Sequence, residues 1–536
     1  MKKLFERYPV GAVLLLMLLC LSPFMAMRDV TPANELRYLS IADEAIREGH
    51  LFAFTNHGEP YADKPPLYFW ILMLFRQVFG RHCVYFLSLF SFVPAALVTV
   101  IMDRWVYGTR NPGTPRERAA MALMLASTGY WVLLSMFLRM DMLMVLFIVL
   151  ALRAWYRNQP WGFALFTFLA LFTKGPVGIL MPVLVVLVYC LSFCVSASRR
   201  NQASDDPRLH LGRFLGWRFL LLAGGCCAVW FTGAWLDGGA DYLRNLLFHQ
   251  TVDRTFNAFH HKQPFWFYLK TIWPVMLPWC LLTIPVCVAS LCRRGETACP
   301  FTEASVAEKL FRCAFFVPLV MLSCSSGKLP IYLLPVFPFA IYLLPLYVRR
   351  VGWQRWMDWA IAVPAGLLAL AALALMLEPF FFDRIPALAP YGFAKSTGFF
   401  LAGAFVLCGS VFTVVRALRS GRETASIFPL ALAVPAFFLA LALVLPVAND
   451  FLGYRELCRD IPEGVTVYVR EHNRPENMDV YLGREVVVIE EGDPLPNDGV
   501  LVTKATFQDP SLEGRECHIH GESALWFPME TPDRNF

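Results

Sequence analysis

The sequence predicts an all-α polytopic membrane protein with a small C-terminal α/β soluble domain, and three observations carry that prediction. Of the 536 residues, 57% are hydrophobic and 16% charged, against roughly 25% charged in an ordinary soluble domain. The apolar residues fall in blocks near the length a bilayer requires, about 20 residues each. After Asn449 the chain changes to short β-branched runs between turn residues, GVTVYVREH, REVVVIEEGD and DGVLVTKATF, the pattern of a small α/β domain. The chain therefore divides into a membrane domain, 1–447, and a C-terminal domain, 448–536.

The first apolar block runs from Val10 to Met27 behind Lys2, Lys3 and Arg7. No small-residue cleavage site follows it and the chain stays hydrophobic, so it reads as a membrane helix and not as a cleaved leader. Further blocks run over 83–102, 119–137, 142–156, 161–173, 176–195, 219–236, 267–292, 310–324, 329–348, 357–377, 397–415 and 427–447, those at 142–156 and 161–173 being short. That makes about thirteen spans. With the N-terminus cytoplasmic, the even-numbered exits carry Arg104, Arg110, Arg116 and Arg118, then Arg153 and Arg157, Arg199, Arg200, Arg208 and Arg213, Arg293 and Arg294, Arg349, Arg350 and Arg355, and Arg416, Arg419 and Arg422. This alternation follows the positive-inside rule. It puts the C-terminal domain outside, and the net charge of +6 then reports topology and excludes a nucleic-acid patch.

Most of the 15 cysteines sit inside apolar runs, with no CxxC pair or metal-ligand spacing, so they read as small core residues. Cys458 and Cys517 fall in the polar C-terminal part, where a disulfide is open to them in an oxidising compartment.

The first long polar interruption, residues 28–70, is where chemistry is expected to begin. Asn34 to Glu48 has apolar residues at Leu36, Leu39, Ile41, Ala45 and Ile46 with charges between them, an amphipathic helix lying on the bilayer. Thr31-Pro32 supplies its start and Gly49 its stop. Glu35 then sits at the helix N-terminus, where a carboxylate is stabilised as an anion. Leu67 to Phe79 reads as a second interfacial helix in the same loop.

Five outward loops carry further ionisable residues. Arg139 and Asp141 interrupt two apolar runs; they either end two helices at the interface or belong to a site, since charge at membrane depth is expensive and usually functional. Lys174 in FTKGP, Lys328 in SSGKLP, Lys64 in YADKPP and Arg254 in VDR add positive charge on one face. Snorkelling explains any one of them; together they suit a phosphate. His260 and His261, with Asp63, are of ligand type for a divalent cation, although adjacent histidines are commonly just solvated.

The motifs NELRY, YADKP, LRMD, FTKGP, HHKQPFWFY and SSGKLPIYLLP occur in an order that resembles the lipid A aminoarabinose transferases and, more distantly, the protein O-mannosyltransferases, integral membrane glycosyltransferases of the GT-C fold. The resemblance runs to about residue 348; the remainder matches in architecture only. It implies transfer of a sugar from a polyprenyl (undecaprenyl) phosphate carrier to a periplasmic acceptor, lipid A foremost, by an inverting enzyme of the bacterial inner membrane. It makes Lys64, Arg139, Lys174, Arg254 and Lys328 ligands of the carrier phosphate, Asp63 and His261 ligands of a structural metal ion such as zinc, and Asp141 the second acidic residue of the site. The implied partners are the carrier-linked sugar, the acceptor and membrane lipids, with no nucleic acid and the chain acting as a monomer.

One departure bears on mechanism. The first acidic motif of that family is Asp-Glu, and here its first position is Asn34, leaving Glu35. A hydroxyl acceptor needs a general base, to be supplied by Glu35 or Asp141, whereas a phosphate acceptor is already an anion. Asn34, Glu35 and Asp141 are the expected catalytic set. Protein or glycan O-glycosylation stays open, as do a transporter for a lipid-linked phosphate and an inactive binding scaffold; the transporter is disfavoured because the chain shows no internal repeat.

Overall fold

A segment in hydrocarbon must satisfy its backbone internally, so the apolar blocks become helices. The computed structural model describes residues 6–108, 112–198, 206–247, 263–291, 303–377, 396–420, 424–470, 475–490 and 492–528. In chain order the helices of the membrane part are α1 (Pro9–Met27), α2 (Arg37–Glu48), α3 (Leu67–Phe79), α4 (Val84–Val106), α5 (Pro115–Ala126), α6 (Gly129–Met136), α7 (Asp141–Tyr156), α8 (Pro160–Lys174) and α9 (Pro176–Ser198). They continue with the helical run α10 (Leu211–Leu247), then α11 (Phe267–Val275), α12 (Cys280–Ala289), α13 (Glu303–Cys324), α14 (Phe337–Val351), α15 (Arg355–Leu377), α16 (Thr397–Ser420) and α17 (Phe428–Leu441).

Among the described residues, eight helices are long and apolar enough to cross a membrane, or nine if the bent pair α5 and α6 is one span. This is fewer than the thirteen blocks of the sequence, and local chemistry explains much of the difference. The block 119–137 turns by 69° at Ser127-Thr128. There the Thr128 hydroxyl donates to Met124 O at 2.9 Å, the indole of Trp279 donates to Ser127 Oγ at 3.1 Å and Gly129 N donates to Leu277 O, so side chains and a neighbouring loop take over groups that the helix would pair. The block 267–292 splits into α11 and α12 around Pro278, whose ring excludes a continuous helix. As the sequence indicates, α7 and α8 are short, at 16 and 15 residues.

The first loop contains the two expected helices. Residues Pro32–Leu36 form a π-helical turn that leads into α2, and Gly49 ends α2 in the left-handed conformation at φ 80°, which glycine adopts without a Cβ penalty.

The C-terminal domain follows α18 (Leu445–Leu452) and α19 (Arg455–Arg459). It contains β3 (Val467–Val469), α20 (Asp479–Leu482), β4 (Val487–Val488), β5 (Val500–Lys504), β6 (Cys517–His520) and β7 (Ser523–Trp526), β1 and β2 being the short hairpin Thr55–Asn56 and Glu59–Pro60. The sheet order is β4-β3-β5-β7-β6, with β3 parallel to β4 and β5 and the other pairs antiparallel. Cys458 is buried, Cys517 half-buried, and both are free thiols.

This domain shares a core with the first loop. Leu36, Tyr38, Leu39, Ile41, Tyr68 and Phe69 pack in one cluster with Leu138, Met140, Leu457, Val467, Val469, Val500 and Val502. Polar contacts hold the same seam: Asp29, fully buried, accepts from Arg455 N at 2.8 Å and from the Tyr481 hydroxyl, while Asn449 accepts from Asp29 N and donates to Met27 O. Ser40 on α2 donates to Asp479 at 2.9 Å, with His57 Nε2 3.7 Å from the same carboxylate. Burial pushes the Asp479 carboxyl up to about 6, against the pull of His57 and the Ser40 hydrogen bond. At Glu44, burial also raises the carboxyl, but hydrogen bonds from Thr55, Gly58 N and His57 N outweigh it and hold the group below its ordinary value.

Several of the arginines used for topology gather together. Arg118 pairs with Asp103 at 2.5 Å, Arg349 pairs with Glu117 and lies 4.8 Å over the Tyr107 ring, and Arg153 is within electrostatic reach of Arg157 and Arg104.

Candidate functional site

The apolar run of α1 ends at Arg28, and this arginine turns inward. It is fully buried. Its Nη1 and Nη2 donate to the two oxygens of Glu35 at 2.8 and 2.7 Å, and it also reaches Asp29 O and Ser88 Oγ, with Phe137 stacked 4.4 Å from the guanidinium. Glu35 further accepts from Thr31 N, Thr31 Oγ1 and, across 103 residues, Leu138 N. Five donors converge on a carboxylate that offers about four lone-pair sites. Glu35 therefore ties the first loop to the LRMD junction and has no lone pair left for a substrate proton. Asn34, beside it, is half-buried on the π-helical turn, a local geometry frequent at functional sites.

The LRMD junction is pinned by α4. Ser91 Oγ donates to Arg139 O at 2.9 Å and accepts from Arg139 N at 3.1 Å. Asp141 is the first residue of α7 and Lys174 the last of α8, positions where each charge complements its helix dipole. The two form an ion pair with little exposure, and the Lys174 ammonium lies 4.9 Å over the ring of Tyr332. Tyr332 stands in the 3₁₀ turn Pro330–Val336, directly after Lys328. Three motifs separated by nearly 200 residues thus meet at one place.

Lys328 is buried, and its ammonium donates to Gln263 O at 2.9 Å and to Ser325 O, fastening the SSGKLP turn to the QPFW stretch. Lys64 is half-buried and donates to Asp63 O at 3.3 Å. Arg254 and His261 lie outside the described residues, and with His261 goes half of the expected metal pair. Among the described residues no three His, Cys, Asp or Glu side chains are disposed to hold a metal ion.

Two residues outside the expected catalytic, carrier-binding and metal-binding sets join this site. Arg28 opens the polar interruption after the first apolar block, and nothing local reveals that it pairs seven residues on. Arg37, in the NELRY motif, looked like the polar face of an amphipathic helix; its guanidinium lies 5.5 Å over the Tyr61 ring and its Nε is buried without a hydrogen-bond partner among the described residues. Between these groups sits Tyr38, buried edge-on against Tyr68 and Phe69 and within electrostatic reach of Arg139, Asp141, Arg37 and Asp63.

This arrangement, a cationic locus with paired carboxylates where the first loop meets the membrane helices, can be compared with known proteins. No protein-family model matches the chain. A crystal structure of ArnT from Cupriavidus metallidurans bound to undecaprenyl phosphate superposes with a TM-score of 0.66 over 96% of each chain at 16% identity, and the apo structure with 0.68 over 96% of each at 17%. The chain has the fold of ArnT. In sequence it is 28% identical over 376 residues to an undecaprenyl phosphate-alpha-4-amino-4-deoxy-L-arabinose arabinosyl transferase of Pseudomonas fluorescens, an alignment covering 66% of this chain and 59% of the relative. A transferase of the same description from Pseudomonas aeruginosa is 27% identical over 361 residues, covering 64% of this chain and 61% of the relative. The similarity thus spans about three fifths of these relatives' length, and the ArnT-type fold covers the C-terminal domain as well.

Proposed function

We propose that the chain is an inverting glycosyltransferase that moves a sugar from a polyprenyl phosphate carrier, undecaprenyl phosphate, to a phosphate of lipid A at the periplasmic face of the inner membrane. One observation carries the choice of acceptor. Neither candidate carboxylate is available as a base: Glu35 is saturated with donors and Asp141 is paired with Lys174. A hydroxyl acceptor needs such a base. A phosphate oxygen is already an anion and attacks without one. The names of the Pseudomonas relatives and the carrier bound in the Cupriavidus structure support the donor.

In this reading the acceptor phosphate oxygen forms a bond to the anomeric carbon while the bond from that carbon to the carrier oxygen breaks, and the carrier leaves as a phosphate monoester. Negative charge grows on the leaving phosphate, and fixed cations in a site shielded from water stabilise it as it develops. Lys64, Arg139, Lys174, Arg254 and Lys328 are assigned to this task, Glu35 and Asn34 to shaping the first-loop turn, and Asp141 to holding Lys174. A structural zinc on Asp63 and His261 belongs to the same proposal; metal analysis of the purified protein, beside Asp63→Ala, tests it independently of activity. The periplasmic orientation follows from the loop arginines, and a reporter fusion at the C-terminus tests it.

The decisive experiment is transfer by purified protein to lipid A, with mass spectrometry of lipid A from cells with and without the gene. A gene-dependent gain of one aminosugar or pentose on a phosphate is expected. Transfer to a hydroxyl, or no transfer to lipid A, overturns the acceptor assignment.

A further inference from the structure

The charge pairing at the site separates its cations into two groups. Arg28 is neutralised by Glu35, and Lys174 by Asp141. Lys328 is anchored on two main-chain carbonyls and Lys64 donates to another. Arg37 and Arg139 differ: among the described residues neither guanidinium has a carboxylate partner or a side-chain hydrogen bond, and one nitrogen of Arg37 is buried without a partner. Both are within electrostatic reach of the buried Tyr38 hydroxyl, Arg37 from the first turn of α2 and Arg139 from the α6–α7 junction. Arg139 has the Asp141 and Glu35 carboxylates within electrostatic reach but in no ion pair with it, whereas the buried nitrogen of Arg37 has lost hydration with no hydrogen bond in return; the planar fork of each matches an oxyanion.

The geometry points to a second oxyanion subsite, formed by Arg37 and Arg139 about the Tyr38 hydroxyl, that takes the phosphate monoester of the acceptor. This rests on the reading of the chain as a transferase with a phosphate acceptor, moves Arg139 from the carrier to the acceptor and adds Arg37. It also answers a requirement of that reaction. Donor and acceptor phosphates must lie close together, and two anions brought together out of water repel strongly unless each has its own positive charge. The Arg37 guanidinium is held by the cation–π contact with Tyr61 before any ligand arrives, and the backbone of Arg139, from which its side chain starts, is fixed by two hydrogen bonds to Ser91. Both are arginines, whereas the cations left to the carrier at this locus are largely lysines, consistent with forked recognition of one phosphate and point-charge stabilisation of the other.

The test is equilibrium binding by the full-length protein in nanodiscs, with three probes: lipid A carrying its phosphates, the same lipid A dephosphorylated, and undecaprenyl phosphate. The wild type is expected to bind phosphorylated lipid A at least ~10-fold more tightly than the dephosphorylated form, as befits charge-assisted hydrogen bonds. In Arg37→Gln and Arg139→Gln that preference should fall to within about 2-fold while the affinity for undecaprenyl phosphate stays within about 2-fold of wild type. Arg37→Lys, which keeps the charge and loses the fork, should recover part of the preference, and this separates recognition from misfolding. Weakened undecaprenyl phosphate binding with the lipid A preference intact would place both arginines at the carrier and overturn the proposal, as would variants that keep wild-type preference. If the wild type binds undecaprenyl phosphate but ignores the phosphates of lipid A, the acceptor reading itself fails, an outcome distinguishable because no variant is needed to see it.

Discussion

Arg28→Met should destabilise the protein by an amount that can be worked out from its contacts. The guanidinium makes four side-chain hydrogen bonds, two of them to Glu35, with both partners essentially unexposed. Removing one member of a buried ion pair typically costs about 3–5 kcal/mol, because the surviving charge is left uncompensated. Glu35 keeps three donors, Thr31 N, Thr31 Oγ1 and Leu138 N, so the loss should lie near the lower end, about 3 kcal/mol. The assay is reversible unfolding in mixed detergent micelles, followed by tryptophan fluorescence. The informative partner is Arg28→Met combined with Glu35→Leu. With both charges gone the penalty of an uncompensated charge disappears, and the remaining cost is that of three orphaned donors, Thr31 N, Thr31 Oγ1 and Leu138 N, at about 1–3 kcal/mol for each buried unsatisfied group. The double variant should therefore lose less stability than the sum of the Arg28→Met and Glu35→Leu losses, since neither charge is left unpaired. A single variant within about 0.5 kcal/mol of wild type, the range of a neutral surface change, would refute the claim that this pair holds the first loop. So would losses that simply add.

Asp141→Asn should lower transfer by about 100-fold through misplacement of Lys174 while leaving undecaprenyl phosphate affinity at or above the wild-type level, since the ammonium loses its competing carboxylate; weaker carrier binding, measured by the same equilibrium assay, would contradict the pairing argument. Lys328→Met should both reduce carrier affinity and open the SSGKLP turn, whose carbonyl at Ser325 the ammonium now holds together with that of Gln263, so limited proteolysis at residues 325–330 should accelerate; unchanged cleavage and affinity would remove Lys328 from both roles. For Asp479, a carboxyl raised to about 6 in the folded chain binds its proton more tightly folded than unfolded, so its contribution to stability is complete below the ordinary carboxylate range and is lost as pH rises through about 6. Thermal stability of Asp479→Asn relative to wild type should therefore grow between ~pH 4 and ~pH 7; a difference independent of pH would show that burial does not govern this group.

The helical membrane architecture was legible because burial in a bilayer leaves few alternatives, and the start and stop of α2 because Pro32 and Gly49 have specific backbone consequences. The strands from GVTVYVREH, REVVVIEEGD and DGVLVTKATF were recognisable by their β-branched content, whereas β6 and β7, written CHIH and SALW, carry too few such residues to stand out. The break at Ser127-Thr128 needed Trp279 and Leu277 from a distant segment, and no periodicity contains that information. The fusion of the C-terminal domain with the first loop was equally hidden, because it is built from residues such as Asp29, Asn449 and Tyr481 that look like loop polarity until they are seen together.

The candidate site shows the same division more sharply. LRMD, FTKGP and GKLPIY, far apart in the sequence, converge around Asp141, Lys174 and Tyr332. What the sequence lacked was the pairing. A charge held by an opposite charge and one held ready for a ligand are identical in a sequence, yet they differ in what they can do, since only the second has interaction energy left to give to a phosphate. Glu35 read as a candidate base because a hydroxyl acceptor would need one and it is the carboxylate left in the first acidic motif, and Arg37 read as one charge among several on an amphipathic helix. The structure gives Glu35 five donors and leaves Arg37 with none of the acceptors it could use among the described residues. Which anion meets which cation is therefore set by the fold, and a mutation aimed at Glu35 as a base would test it for the wrong property, since its lone pairs are already taken.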